Sequence, residues 1–298
     1  MKKTKRRLGD KSGYLFLLPA AIMMLVFIVF PLILSFVLSL TDYKGLGEKH
    51  FIGFANYVTL FHDPVFWKSL ALQIIWAVMS VLALGFLSLL LAILVEFYVP
   101  GQKLVGVART LLFMPMLMSM VAVGLLWSMM LNPLVGIFNE LAHVLGLLGP
   151  GQAIDILGNE KTALFGAFLP GVWQAAGFGM VIFSAAMQDI SQDVQEAALL
   201  DGCTKWKEIR YVVLPMIRPT IATVCTLNLI GGMKCFDIIY VMTKGGPGTA
   251  TQVTSLYVYK EAFVNHHHGY GSTMAFVLFI VTTIIGVVFY KLTKKSED

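Results

Sequence analysis

The sequence predicts an all-α integral membrane protein of six transmembrane helices with a cytoplasmic helical loop between the fourth and fifth. Three observations carry that reading. Hydrophobic residues make up 57% of the 298 and charged residues 13%, about half the roughly 25% charge of a soluble domain. Apolar runs of about 20 residues, the length that crosses a bilayer core, recur at 14–40, 69–97, 108–131, 163–187, 218–242 and 270–291. The basic residues sort by side. Six spans put both termini on one face, with Lys2, Lys3, Lys5, Arg6, Arg7, Lys11, Lys103, Arg109, Lys205, Lys207, Arg210, Arg218, Lys291, Lys294 and Lys295. Opposite stand Lys44, Lys49, Lys68, Lys161, Lys244 and Lys260. Fifteen against six on that count puts the termini and the loop at 188–217 in the cytoplasm. The net charge of +5 therefore faces a lipid bilayer, and no nucleic acid is needed to explain it.

The first run follows MKKTKRR and extends from Tyr14 to Leu40. A signal peptide shares the basic start, but its apolar core is only about 7–15 residues and ends in a small-residue cleavage site. This run is longer and ends in SLTDYKG, so it reads as a retained helix, kinked at Pro31. Between the third and fourth runs, Leu134, Ile137, Phe138, Leu141, Val144 and Leu145 have the spacing of an amphipathic helix. Such a helix lies at the outer interface or rims a translocation path. In the fourth run, Trp173, Gln174, Gly177, Phe178 and Gly179 combine rings that stack on sugar faces with an amide that bonds hydroxyls. Close helix packing at the glycines explains the same residues. The whole chain reads as a single transmembrane domain with no inserted soluble domain.

The loop from Glu196 to Pro219, EAALLDGCTKWKEIRYVVLPMIRP, is polar between long apolar runs. Ser191 opens it as an N-cap, and Asp193 and Glu196 suit the positive end of a helix dipole. A short helix through Glu196, Ala197, Ala198, Leu199 and Leu200 stops at Gly202. A second piece covers Thr204 to Val212, and Pro215 and Pro219 set the start of the next run. The small Ala197 and Ala198 admit a partner's surface; otherwise this is an ordinary amphipathic helix.

Lys234 and Asp237 are the charges deep within a run. Their spacing puts both on one helical face, where they partly neutralise each other, or where they serve an ion-coupled secondary carrier. His266, His267 and His268 read as solvated surface, because adjacent residues converge poorly on one metal. Cys203, Cys225 and Cys235 show no CxxC spacing, so neither a disulfide framework nor a metal site is expected. GxxxxGK[ST], HExxH and GxSxG are missing, so the chain is expected to be no enzyme and to hydrolyse no ATP itself.

Glu196, Ala197, Ala198, then Asp201 and Gly202, then Leu214 and Pro215, in that order, resemble the EAA loop of ABC importer permeases. Cys203 and Val212 depart mildly, where alanine and isoleucine are commoner. FIGFANYVTLFHDPVFW (Phe51–Trp67) and FDIIYVMTKGGPGTATQVTSLYVYKEAF (Phe236–Phe263) resemble segments of the carbohydrate permeases of the maltose-transporter type. Gln73 departs from the Asn-Thr often found early in their second span. The resemblance implies a bacterial inner-membrane importer of a sugar, oligosaccharide or polyol that works by alternating access. It implies a second permease, two cytoplasmic ATPase subunits holding ATP and Mg, and an extracytoplasmic solute-binding protein. Counted from Glu196 and Gly245, it carries the sugar-path positions onto Gln174, Phe178, Asn228 and Gly232, and gives Glu196, Ala197, Ala198, Asp201, Gly202, Leu214 and Pro215 to ATPase coupling.

Overall fold

The computed structural model of the protein describes residues 12–45 and 47–295. The basic start through Lys11 and the tail from Ser296 lie outside the described residues. Among the described residues every regular element is helical, apart from an isolated antiparallel bridge between Thr41 and Phe51. The chain divides into two compact units, Met1–Asp63 with Val258–Val277, and Pro64–Tyr257 with Leu278–Asp298.

In the first unit, α1 runs from Ser12–Met24 through a π-helical turn at Leu25–Val29 into Phe30–Ser39. The turn widens immediately before Pro31, whose missing N–H and bulky ring disfavour regular helix there. α2 (Ala55–Phe61) is fastened to the end of α1 by Asn56, whose Nδ2 donates to the Ser39 and Thr41 carbonyls at 2.9 Å each. The Ser39 hydroxyl donates to Phe36 O at 2.6 Å and lies 2.8 Å from the Tyr57 hydroxyl. Of the three histidines, His267 places Nδ1 2.8 Å from Glu261 Oε2. No group of three potential metal ligands forms among the described residues.

The second unit is built on α3 (Pro64–Tyr98, 35 residues). Pro64 takes the first helical position, where its missing N–H is harmless. The helix stops before Pro100, and Gly101 then adopts a φ of +76°. α4 (Gln102–Phe113) leads through a 3-10 turn, Met114–Leu117, to α5 (Met120–Met130). α6 is Ile137–Val144 and α7 is Ala163–Gln188. The loop holds α8 (Gln192–Leu200) and α9 (Lys205–Met216, with a π turn at Ile209–Val213). α10 (Arg218–Gly232), α11 (Asp237–Met242) and α12 (Thr254–Tyr259) follow. α13 (His268–Lys295) begins in the first unit and continues into the second.

Among the described residues four helices are long and apolar enough to cross a membrane: Phe16–Ser39, Pro64–Tyr98, Ala163–Gln188 and His268–Thr293. Two bent pairs, Gln102–Leu117 with Met120–Met130 (92°) and Lys205–Met216 with Arg218–Gly232 (69°), make six if each is one span. Two runs expected as continuous helices are therefore interrupted. The run at 108–131 turns at Met118, which is extended, because Pro115 starts a tighter turn and Ser119 caps a new helix by accepting the Ala122 N–H at 3.2 Å. The run at 218–242 breaks over Met233, Lys234, Cys235 and Phe236.

α3 and α7 lie side by side, with α10 against α3. Ala92, Val95, Met180, Phe183, Met187, Val213 and Val224 form a buried core where α3, α7, α9 and α10 meet. A second core joins Ala77, Leu229 and Met233 to Leu278 and Val281 of α13. Ser88, buried on α3, donates to Ala176 O of α7 at 2.8 Å. The glycines of α7 admit its neighbours, as their positions suggested. A Cβ on Gly177 would stand 2.1 Å from Leu112 O, and one on Gly179 2.5 Å from Ser88 Oγ.

Gly177→Ala must therefore push α4 and α7 apart, at a cost of about 1–3 kcal/mol for overpacking. A melting temperature several degrees below wild type is expected for the purified protein in detergent. Gly106→Ala, where an added Cβ meets nothing within 4 Å, should leave the melting temperature unchanged or slightly raised.

Candidate functional site: an exposed loop helix and a cavity beside two helix breaks

α8 begins one turn earlier than its alanines suggest, directly after Ser191. That residue has the extended N-cap backbone (ψ 144°), but its side chain makes no capping bond. The other end is closed as a Schellman motif. Gly202 takes a φ of +73°. The Cys203 N–H reaches back to Ala198 O, and the Gly202 N–H to Leu199 O, both at 3.0 Å. Ala198 is buried against its own chain, whereas Glu196 and Ala197 are exposed. Of the two small residues, Ala197 is open at the surface and Ala198 is not. The sequence reading overlooked Leu200, which is 89% exposed and one helical turn beyond Glu196. Asp201 is exposed in the turn; Leu214 packs on the core beside Val213, and Pro215 is exposed just before the 69° bend.

The loop is fastened to the Tyr98 end of α3. Arg109 of α4 donates Nε and Nη2 to Glu96 Oε1 at 3.1 and 2.5 Å, and Gln188 at the end of α7 donates to Glu96 Oε2 at 3.2 Å. Lys205, opening α9, donates to Phe97 O at 2.9 Å and lies 5.5 Å from the centre of the Tyr98 ring. A lysine on the final carbonyls of a helix is favourable for its dipole. Three elements are thereby tied to the last turn of α3.

Farther along α3, a cavity of about 380 Å³ opens between α3, the α4–α5 turn, α7 and α10, within the roughly 300–1,000 Å³ of small-molecule sites. Gln174, Phe178, Asn228 and Gly232 all line it, with Trp76, Phe236, Lys234 and Asp237. Trp76 meets Phe168 edge-on at 5.1 Å, and Phe236 stacks on Tyr240 at 5.4 Å. Trp173 is not part of the lining; its ring lies 6.2 Å from that of Trp127. Asn228 Nδ2 is buried without a hydrogen-bond partner. Gln174 is committed: its Nε2 donates to Met118 O at 2.8 Å, satisfying a carbonyl that the α4–α5 turn leaves outside helical pairing. Its side-chain oxygen takes no part in that bond.

Lys234 and Asp237 do not share a helical face, contrary to expectation. Lys234 lies in the break, and Asp237 opens α11. Gln73, which stood out in sequence only as a departure, is fully buried beneath this break. Its Nε2 donates to Gly232 O at 2.8 Å, and its Oε1 accepts the Ser255 N–H at 3.2 Å. The signal that could have found it is a lone amide in an otherwise apolar stretch of a long helix.

Residues 88–296 match the family of binding-protein-dependent transport system inner membrane components. A probable ABC transporter permease protein of Pyrococcus horikoshii is 34% identical over 95% of this chain and 96% of its own. The trehalose/maltose transport system permease protein MalF of Thermococcus litoralis is 30% identical over 97% and 95%. The lactose transport system permease protein LacF of Rhizobium radiobacter is 31% identical over 95% and 94%. In fold, the chain superposes on a chain of a bacterial alginate ABC transporter, solved with an alginate-bound periplasmic protein, at a TM-score of 0.84. That match has 23% identity and covers 97% of this chain and 96% of the other. These relatives are transport components rather than enzymes. The chain belongs to the family of binding-protein-dependent transport system inner membrane components, the permease subunits of ABC importers.

Proposed function

We propose that this chain is one of two permeases in an ATP-driven, binding-protein-dependent importer of a sugar, oligosaccharide or polyol. The observation that carries the reading is α8. Its outer face offers Glu196, Ala197 and Leu200, its inner face buries Ala198, and the following turn is anchored to α3 through Lys205. A helix held this way acts as a lever. A cytoplasmic ATPase would take Leu200 and Ala197 into a groove and pair with Glu196. Closure of two such ATPases around ATP and Mg would carry α8 and the Tyr98 end of α3 together, tilting the spans between outward- and inward-open states.

The basic asymmetry supports cytoplasmic termini and a cytoplasmic α8. So does the meeting of Arg109 and Lys205 at one end of α3. The carbohydrate class rests on the trehalose/maltose and lactose relatives and on the cavity's chemistry. Phe178 and Trp76 offer ring faces, Asn228 offers an unused donor, and the Gln174 oxygen offers an acceptor. A solute-binding protein outside the membrane would deliver the sugar, and the second permease would complete the path.

The first test is to tag the C-terminus, extract the protein gently from its native membrane and identify what copurifies. An ATPase and a different permease chain are expected. A chain that purifies alone, and drives uptake into vesicles on a proton gradient, would replace the importer with an ion-coupled carrier. Lys234 and Asp237, both on the cavity wall, would then be the ion-coupling residues.

Glu196→Lys and Gly202→Pro should each lower uptake by about tenfold or more while ATP hydrolysis by the complex continues; tenfold corresponds to about 1.4 kcal/mol. The proline is incompatible with a φ of +73° and removes the N–H that reaches Leu199 O. Normal uptake in both variants would end the coupling role. In the cavity, Phe178→Ala and Asn228→Ala should raise the uptake KM about three- to tenfold, the worth of a hydrogen bond or stacked ring. Radiolabelled maltose, trehalose and lactose serve as probes. An unchanged KM would move the sugar path out of this cavity.

A further inference from the structure

α10 ends at Gly232 and α11 begins at Asp237, so the backbone between them leaves helical pairing inside an apolar run. Broken helices at membrane depth persist only where protein or a polar cavity satisfies the freed groups. Here the cavity side of the break carries Lys234, Phe236 and Asp237. Within the break the Lys234 N–H reaches Gly231 O at 3.1 Å and the Cys235 N–H reaches Gly232 O at 3.2 Å; the remaining bonds come from the opposite side. Gln73 Nε2 donates to Gly232 O at 2.8 Å. Gln73 Oε1 accepts the Ser255 N–H at 3.2 Å, with the Ser255 hydroxyl at 3.3 Å. The same hydroxyl reaches the Cys235 carbonyl. Gln73 thus ties the Gly232 end of the break to α3 and, through Ser255 of α12, reaches the Cys235 carbonyl inside it. The approach is close: a Cβ on Gly232 would stand 2.6 Å from Ala77 Cα, one turn along α3 from Gln73. Only a group that donates at one end and accepts at the other fills this place, and Gln73 is fully buried there.

We propose that Gln73 is the positioning residue of the cavity, holding the α10–α11 break in the shape that turns Lys234, Phe236 and Asp237 onto its wall. Gln73 touches no guest; it sets affinity and selectivity through residues that do. This rests on the reading of the cavity as the sugar path, so the test has one readout that needs no sugar.

Cys235 sits in the break on the cavity wall. In a full-length protein carrying Cys203→Ala and Cys225→Ala, assembled with its partners in native membranes, its alkylation rate by N-ethylmaleimide reports the shape of the break. Gln73→Met keeps length and volume but has no hydrogen bonds. Labelling is expected to quicken about tenfold as the segment opens locally. Gln73→Glu keeps the accepting oxygen that faces the Ser255 N–H, so it should recover part of the slow rate. Labelling of Gln73→Met at the parental rate would overturn the proposal, since a space-filling role needs only the volume.

Uptake of radiolabelled maltose, trehalose and lactose gives the second readout. KM is expected to rise about tenfold with Vmax held within about twofold, the pattern of lost binding rather than lost turnover. Faster labelling with an unchanged KM would sustain the hold on the break and overturn the cavity as the sugar path. If Gln73→Met fails to accumulate in membranes, Ser255→Ala removes one hydroxyl from the same junction. It should quicken Cys235 labelling severalfold, and an unchanged rate there would again overturn the proposal.

Discussion

A helix interrupted inside an apolar layer frees backbone carbonyls that need new partners, and among the described residues the second unit of this chain has two such interruptions. Each is closed by a buried glutamine from a neighbouring helix. Gln174 on α7 donates to Met118 O in the α4–α5 turn, and Gln73 on α3 donates to Gly232 O at the α10–α11 break. An unsatisfied group in hydrocarbon costs several kcal/mol, far more than a stretch of straight helix would. The breaks are therefore worth having only if the irregular backbone does something. Both border the same cavity, and both exchange smooth helix surface for polar groups that a hydroxylated guest could use.

The ends of the long helices obey a different rule. At the Tyr98 end of α3 the chain leaves the apolar layer, and charges become affordable when paired. Glu96 is the hub, with Arg109 and Gln188 on its two oxygens and side-chain exposures of 26% for Arg109 and 13% for Glu96. Removing one partner of such a half-buried pair strands the other charge. The loop that follows is built for contact outward. Its helix exposes one alanine, buries the next, and is stopped cleanly by a glycine in a conformation that other residues resist.

Much of this was legible in the residues. Gly202 announced a helix stop and is one, and the paired glycines of α7 announced close packing and have it. Gln174 and Phe178, suggested by their chemistry and by family resemblance, and Asn228 and Gly232, by resemblance alone, line one cavity. What could not be read was where apolar runs break. Met118 and Cys235 are as apolar as their neighbours, and hydropathy registers composition, not the hydrogen bonds that a turn must find. The amides that permit the breaks lie 56 and 159 residues away from the carbonyls they satisfy. Nor could the sequence tell which of Ala197 and Ala198 faces out, since side-chain size is the same and only the packing against the core decides it. Lys234 and Asp237 were set on one face by assuming a regular helix, and the break removed that premise.

α3 explains how events at the loop could be felt at the cavity. It carries Gln73 near one end and Glu96, Phe97 and Tyr98 at the other, within a single helix of 35 residues. At 1.5 Å per residue that is about 52 Å, longer than the roughly 30 Å hydrocarbon core, so its two ends can be engaged in different surroundings at once. Between Gln73 and Glu96 there is no proline, so no built-in kink interrupts the rod. A displacement of α8 transmitted through Lys205 to the Phe97 carbonyl would move α3 as a whole. The amide of Gln73 would then have to travel with it or release Gly232. In the first case the break and its three cavity residues swing with the spans; in the second the cavity loosens its grip on a guest. Either motion links the loop to the cavity through one continuous helix.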